Sequence, residues 1–295
     1  MDIAATEKNN TPLLSIITIN YNNAAGLKKT IESVVAQNFD DYEHIIVDGG
    51  SKDGSVDVIK EFLANETYAR HVSWWCSEND NGIYNAMNKG IRHASGKYCL
   101  FLNSGDWLCD DSVLKLFFNV SNNGNGTEIF YGNSYLCKNE LIVGTQKSPE
   151  KIYLSFLFLN TINHQSAFIS TSLLQKYYYD EKLKITSDWK FFLQALLENH
   201  TFIYFNSFIS CYDYSGISST QKKEAVNERE KVLKEILPVY VYENEHEKSL
   251  NPINKWDYYG KCLYQRKGIY NFCLFCTKAF FKLLRMLHIM KRIDI

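Results

Sequence analysis

Three apolar runs near the N-terminus end abruptly in small polar and acidic residues, and these endings carry the chemistry the chain offers. Lys97-Tyr98-Cys99-Leu100-Phe101-Leu102 gives way to Asn103-Ser104-Gly105-Asp106; the run from Leu14 ends in Asn20-Tyr21-Asn22; and His44-Ile45-Ile46-Val47 ends in Asp48-Gly49-Gly50. A continuous apolar run suits a strand buried on both faces, and open α/β sheets bind ligands outside the carboxyl ends of such strands. The three endings can converge on one crevice, which suits a nucleotide. Tyr21 offers a ring to stack on a base, or else a core aromatic, and Asn20 offers polar contacts beside it. Asp48 either caps the turn that Gly49-Gly50 begins or accepts the N3 proton of uracil.

The intervening segments supply the scaffold. Leu13 to Ile19 reads as a strand, and Leu27, Ile31, Val34 and Val35 recur at helical spacing within a helix from Leu27 to Gln37. Tyr42 to Val47 is a second strand, followed by a tight turn and a helix from Val56 to Leu63 with Ser55 as its cap. Val72 to Cys76 forms a third strand, the helix Tyr84 to His93 follows, and then comes the strand that leads to Asp106. This alternation predicts parallel strands with right-handed crossovers, hence a doubly wound α/β sheet.

Composition fits a globular enzyme: 295 residues, 45% hydrophobic and 22% charged, can bury a large core and exclude disordered and collagen-like classes. Lys plus Arg (32) nearly balances Asp plus Glu (33), which argues against nucleic acid as a partner. The polar segment Met1 to Pro12 has no apolar stretch of the export type, so the expected compartment is cytoplasmic. The eight cysteines are then thiols, and the pair Cys273 and Cys276 lacks the second pair that a zinc site needs.

In order and spacing, SIITINYNN (Ser15 to Asn23), EHIIVDGGSKDGS (Glu43 to Ser55), ENDNGIYNAMNKGI (Glu78 to Ile91) and GKYCLFLNSGD (Gly96 to Asp106) resemble family 2 glycosyltransferases of the GT-A fold. A looser likeness continues to about residue 220. The resemblance implies a mostly parallel sheet with a Rossmann-like nucleotide-binding half. It also implies inverting transfer of a hexose or N-acetylhexosamine, from a UDP-linked or other nucleotide sugar, to a saccharide or lipid-linked saccharide in surface-polysaccharide biosynthesis. It places Asp48 at the base and Asp80 beside the nucleotide, where a helix cap or solvated charge is the alternative. Asn88 and Lys89 lie on the next helix as further nucleotide-binding candidates, with Lys89 near the diphosphate or else solvated.

Relatives usually carry Asp-x-Asp where this chain has Ser104-Gly105-Asp106. The resemblance makes Asp106 the ligand of Mn²⁺ or Mg²⁺, ions that often take only one or two protein carboxylates, and leaves Ser104 to contact the ribose. Inverting members place an Asp, often after Glu, at the start of a later helix; here Ser187-Asp188 precedes the apolar stretch Phe191 to Leu197 without the Glu. Asp188 is either the catalytic base or an acid favoured at a helix N-terminus by about 0.3–1 kcal/mol. His164 and Gln165 are expected to line the acceptor or donor pocket, with a structural histidine as the alternative. The loop Asp213 to Thr220 is a candidate to close over the donor.

Beyond the likeness, Lys222 to Leu237 reads as a charged amphipathic helix. From Gly268 to Ile295, large apolar residues are interrupted by Lys278, Lys282, Arg285, Lys291 and Arg292. That stretch falls short of the roughly 20 apolar residues of a spanning helix and suits a helix lying on an anionic membrane surface, or one docked on the domain. The expected organisation is a tail over 1–12, a nucleotide-sugar half over 13–106, an acceptor half over 107–220, a helical extension over 221–267 and the basic amphipathic helix over 268–295. Two other classes share parts of the pattern: a nucleotidyltransferase, and a non-catalytic sugar-binding or membrane-binding protein.

Overall fold

A computed structural model describes residues 11–124, 126–138, 141–214 and 221–250. The chain divides into two compact units, residues 1–236 and 237–295. In the first, β1 (Leu14–Asn20), β2 (Tyr42–Asp48), β3 (Val72–Ser77) and β4 (Tyr98–Phe101) lie in the order β3-β2-β1-β4, all parallel. Their connections run through α1 (Ala24–Val35), α2 (Ser55–Leu63), the short α3 (Glu66–Ala69) and α4 (Ile83–His93). β1 and β2 are buried at every position, which suits their mainly apolar residues, and the polar ones inside them pair with each other, Ser15 with Glu43 and Thr18 with His44.

The two faces of β1 are covered differently. Leu14 and Ile16 join Val34 of α1 and Leu114 and Phe117 of α5 (Val113–Asn123) in the larger core. Ile17 faces α4, where a Cβ at Gly90 would stand 2.4 Å from its Cγ2, so only glycine lets this helix approach the strand so closely. Leu27, Ile31, Ile46, Ile59 and Tyr68 form a second cluster between α1, α2 and β2. His44 is enclosed there, bonded to Thr18 Oγ1 at 2.8 Å and Tyr68 Oη at 2.7 Å. Burial pushes its pKa down to about 3.

The sheet continues as β4-β8-β6-β9-β5, from β5 (Trp107–Leu108), β6 (Ile129–Lys138), β8 (Ala167–Ser170) and β9 (Phe202–Asp213), while β7 (Leu141–Gln146) pairs the outer part of β6. Antiparallel pairs enter here, β4 with β8, β6 with β8 and β5 with β9, although β6 and β9 are parallel. The doubly wound parallel expectation therefore describes the first half, and a mixed extension completes the sheet. α6 (Leu154–Leu159), α7 (Thr171–Tyr177) and α8 (Ser187–Leu197) flank it. α9 (Lys222–Ile236) closes the first unit, and α10 (Val239–Leu250) belongs to the second.

Element boundaries differ from the sequence reading for local reasons. Ser55 is the first residue of α2 rather than its cap; Asp53 Oδ1 instead accepts from the Ser55 backbone N–H at 3.1 Å and hydroxyl at 2.6 Å. The fourth strand stops at Phe101, yet Leu102 N–H and Ser104 N–H still donate to Ile17 and Ile19 carbonyls at 3.0 Å. Those bonds keep the polar ending in register with β1. No helix among the described residues is long and apolar enough to cross a membrane. The proposed donor-closing loop over 215–220 and the basic helix over 268–295 lie outside the described residues.

Candidate active site

Parallel register places Asn20 opposite Asp48 and Asp48 opposite Ser77 at the carboxyl ends of β1, β2 and β3. Asp48 is fully buried. Its Oδ1 accepts from Asn20 Nδ2 at 2.7 Å and Ser51 Oγ at 2.6 Å; its Oδ2 accepts from Ser51 N at 2.9 Å and Ser77 Oγ at 2.6 Å. Burial alone would raise the carboxyl's pKa, but the hydrogen bonds from Ser51, Ser77 and Asn20 outweigh it and hold Asp48 below its ordinary value. A carboxylate has about four lone-pair sites, and four donors occupy them. Asp48 therefore ties three strand ends together and presents no exposed oxygen to a base.

The surface next to it is open. Tyr21 is 67% exposed. At Gly49 an added Cβ would meet Asp80 Oδ2 at 2.6 Å and the Tyr21 ring at 3.2 Å. Tyr21, Gly49 and Asp80 thus stand side by side, and the close approach of Asp80 to position 49 depends on glycine. Asp80 also accepts the Gly82 N–H at 2.9 Å, which fixes its loop at the start of α4. Asn88 is turned elsewhere: its Nδ2 donates to Tyr179 O at 2.9 Å and Glu181 Oε1 at 2.8 Å, and its Oδ1 accepts from Tyr179 N at 2.9 Å. The expected nucleotide contact is replaced by a brace between α4 and residues 179–181. Lys89 pairs with Glu78 Oε1 at 2.9 Å and reaches Asn79 O at 3.4 Å, supporting the loop that carries Asp80.

Asp106 is 4% exposed, and its two oxygens accept from Asp213 N at 2.9 Å and Gln165 Nε2 at 3.0 Å. Burial pushes its pKa up to about 6; those two hydrogen bonds and His164 oppose the rise, while the neighbouring Asp213 carboxylate adds to it. Gly105 has φ +103, and a Cβ there would lie 3.3 Å from Asp213 Oδ2. A side chain at this position would be strained and would crowd the second acid. Asn23 Nδ2 donates to the half-buried Ser104's carbonyl at 3.1 Å, which fixes the loop from the α1 side.

Asp188 sits in the first turn of α8. Tyr84 Oη donates to its Oδ1 at 2.9 Å, and its Oδ2 lies 2.9 Å from His164 Nδ1. His164 Nε2 is 3.3 Å from Asn103 Nδ2, an arrangement satisfied when Nδ1 carries the proton and Nε2 accepts. Burial would raise the Asp188 pKa, but the hydrogen bonds from His164 and Tyr84 hold it below the usual carboxylate range. The residue is therefore an ionised, buried carboxylate, and its two side-chain donors leave lone pairs able to accept a further proton.

Glu228 of α9 anchors the lead into α8, accepting from Lys184 N at 2.8 Å and from Ile185 N, Thr186 N and Thr186 Oγ1 at 3.0–3.1 Å. Thr186 supplies no side-chain cap of its own. Next to Glu228, Arg229 lies over the Trp189 ring at 5.1 Å.

His164 and its neighbour Gln165 therefore connect the two acid centres: His164 bonds to Asp188 and Gln165 to Asp106. His164 and Gln165, expected as pocket lining, each touch one of the acids. Sequence reasoning missed Tyr84, Asn103, Asp213, Glu228 and Arg229 as site residues. Asp213 had a signal, as an acid ending a strand run, but its strand is paired through distant β6. The carboxylates of Asp106 and Asp213 form a hard oxygen set that fits Mg²⁺ or Mn²⁺, and a divalent cation would relieve the like-charge repulsion at Asp106. Among the described residues no group of three or more His, Cys, Asp or Glu side chains is assembled for a metal. The rest of such an ion's shell falls to ligand and water.

Comparison with known proteins follows the same geometry. The model of glycosyl transferase family 2 matches residues 15–183. A glycosyltransferase of Mycobacterium tuberculosis is 32% identical over 219 residues, 73% of this chain and 80% of the relative. A PGL/p-HBAD biosynthesis glycosyltransferase of Mycobacterium bovis is 27% identical over 215 residues, 71% and 80% of the two chains. Among solved structures, S. aureus TarS 1–349 in complex with UDP-GlcNAc superposes with a TM-score of 0.59 at 17% identity, covering 82% of this chain and 74% of TarS 1–349. The mannosyltransferase PcManGT of Pyrobaculum calidifontis, in complex with GDP-Man and Mn²⁺, gives a TM-score of 0.51 at 14% identity, covering 70% and 58%. These likenesses match the GT-A architecture described above.

Proposed function

The chain belongs to glycosyltransferase family 2, and on that premise we propose that it transfers a hexose or N-acetylhexosamine from a UDP-sugar to a hydroxyl of a saccharide or lipid-linked saccharide, with inversion, in surface-polysaccharide assembly. The observation that carries the reading is the pair of acid centres joined through His164 and Gln165: buried, ionised Asp188 on one side and the Asp106–Asp213 pair on the other. A single displacement needs both, a base for the attacking hydroxyl and charge stabilisation at the departing diphosphate.

The base of the nucleotide would lie against Tyr21, Gly49 and Asp80, stacking on the exposed ring. Asn20 and Asp48 act one layer beneath, fixing the strand ends beside these residues. Ser104, half-buried on the loop to Asp106, is the candidate for the ribose. Asp106 and Asp213 would hold Mn²⁺ or Mg²⁺, which when bound neutralises charge developing on the leaving nucleoside diphosphate. Asp188 accepts the acceptor hydroxyl's proton as its oxygen attacks the anomeric carbon. Tyr84 and His164 hold the carboxylate in place, and Asn103 holds the far nitrogen of His164. The UDP choice draws on the UDP-GlcNAc complex of TarS and the polysaccharide setting on the sequence resemblance, both by analogy. The basic stretch 268–295 supports placement at an anionic membrane surface, where a lipid-linked acceptor would be met.

The test is nucleoside diphosphate release from a panel of nucleotide sugars, with Mn²⁺, Mg²⁺ or EDTA and a membrane-lipid extract as acceptor source. Metal-dependent release from one donor, abolished in Asp188→Asn, is expected. Pyrophosphate release would instead indicate a nucleotidyltransferase, and nucleotide binding without turnover in any condition would indicate a binding protein.

A further inference from the structure

Arg229 is a half-buried cation that the chemistry above does not use. Its guanidinium lies 5.1 Å from the Trp189 ring centroid, and Trp189 is itself 1% exposed and follows Asp188 directly. Its Nε is buried without a hydrogen-bond partner among the described residues. The adjacent Glu228 is committed to the backbone before α8, and the two oxygens of Asp188 each meet one other side chain, Tyr84 and His164. Neither neighbouring carboxylate is hydrogen-bonded to the guanidinium.

A guanidinium whose Nε is shielded from water without a hydrogen-bonded anion carries a desolvation cost, and an aromatic face offsets only part of it. Arginine presents a planar fork suited to phosphate or carboxylate, so an arginine kept here with an unsatisfied N–H is arranged for an anion that arrives with a ligand. Location decides which ligand. Trp189, over whose ring the guanidinium lies, directly follows Asp188 in the first turn of α8. The guanidinium therefore belongs to the Asp188 end of the site, where the acceptor hydroxyl must lie, and the Asp106–Asp213 pair serves the donor diphosphate.

We propose that Arg229 recognises the acceptor: its guanidinium binds an oxyanion carried close to the hydroxyl that Asp188 deprotonates. The inference rests on the reading of Asp188 as the base. The shared chemistry is a phosphate or carboxylate, which can come from the diphosphate of a lipid-linked carrier or from an acidic sugar of the acceptor.

Matched probes separate these sources. Octyl glucoside is neutral, octyl glucuronide adds a carboxylate, and glucosyl octyl diphosphate adds a diphosphate; each is titrated calorimetrically into full-length protein saturated with UDP and Mn²⁺. Wild type is expected to bind one anionic probe at least about tenfold more tightly than the neutral one, and the preferred probe names the source. In Arg229→Gln the ratio should fall to within about twofold, and Arg229→Lys, which keeps the charge but not the fork, should retain part of it. Affinity for UDP should be unchanged in both variants, which also reports on folding. The inference is overturned if wild type binds neither anionic probe or shows no preference, or if Arg229→Gln weakens neutral and anionic probes alike. Wild type that binds UDP and turns over donor without an anion preference would lose this inference and keep the transferase reading; failure to bind any nucleotide would remove that reading instead.

Discussion

Replacing Glu228 tests whether α9 sets the geometry of the catalytic centre from a distance. One carboxylate accepts from three successive backbone N–H groups, Lys184, Ile185 and Thr186, and from the Thr186 hydroxyl, immediately before the helix that carries Asp188. Hydrogen bonds to a charged group contribute about 1.5–3 kcal/mol each, and a negative charge near a helix N-terminus about 0.3–1 kcal/mol more. These bonds share one acceptor and are partly solvated, so they do not add; the net cost of Glu228→Ala is about 2–4 kcal/mol. For a unit of this size each kcal/mol moves Tm by about 2–4 °C, so about 3 kcal/mol corresponds to a fall of roughly 6–12 °C. Release of the lead into α8 also lets Asp188 drift, and a misplacement near 1 Å costs about 100-fold. The expected result is therefore a kcat lowered about 10- to 100-fold with the donor KM within about twofold, because the proposed nucleotide-binding residues lie on other elements. Glu228→Gln keeps a neutral acceptor and should lose about half the stability. Differential scanning fluorimetry and donor-turnover assays read both effects. A Glu228→Ala protein that melts within about 1 °C of wild type and keeps kcat within about twofold would refute the argument.

Asp188→Asn should lower kcat by about 10²- to 10⁴-fold while UDP affinity, measured by calorimetry, stays unchanged. Asp106→Asn and Asp213→Asn should each weaken Mn²⁺ binding in the presence of UDP, read by electron paramagnetic resonance, and Gln165→Ala should do so less because it removes only a hydrogen bond to Asp106. Tyr21→Ala should weaken UDP binding by about 1–3 kcal/mol through lost stacking, and Gly49→Val should block the same site, both with little change in Tm. Asp48 has a folded pKa below its ordinary value, so its contribution is fully present above the unfolded pKa and is lost as pH falls through the lower folded value. Asp48→Asn should accordingly lose less stability than wild type on acidification below about pH 4, as denaturant titrations across pH will show.

The first half of the fold was legible because each of its elements declares itself locally. β1 and β2 are short, mainly apolar stretches buried at every position, and α4 shows its punctuation at Gly82 and its periodicity through Met87 and Ile91. The polar endings follow from these strands, so Tyr21, Ser104 and Asp106 could be expected just beyond the carboxyl ends of the sheet, while Asp80 was placed by the family resemblance. What stayed hidden depends on register and distant packing. That Asp48 is enclosed follows from the alignment of Asn20, Asp48 and Ser77 across three strands, which no single run encodes. Asn88 looks like any polar residue of an amphipathic helix until residues 179–181 are seen against it. Glu228 and Arg229 belong to a helix whose charged sequence gives no sign that one residue anchors α8 and the next lies over Trp189.

The departure from Asp-x-Asp at Ser104-Gly105-Asp106 has a physical counterpart in Asp213. A carboxylate at position 104 would join Asp106, already pushed up to about 6 by burial and by the second acid, in a space where Gly105 must remain without a side chain. Adding a third negative charge there would raise the desolvation and repulsion cost of the ligand-free protein. A hydroxyl at 104 avoids that cost, while the end of β9 brings a carboxylate to the loop from the other half of the sheet. On the proposed reading the donor set would number two acids, as suits a small hard cation that takes its remaining oxygens from phosphate and water. The short junction between β4 and β5 and the far end of β9 thus have to fold together before either acid is useful. Position 106 therefore depends on the long parallel pairing of β6 with β9, which ends with Cys137 opposite Asp213.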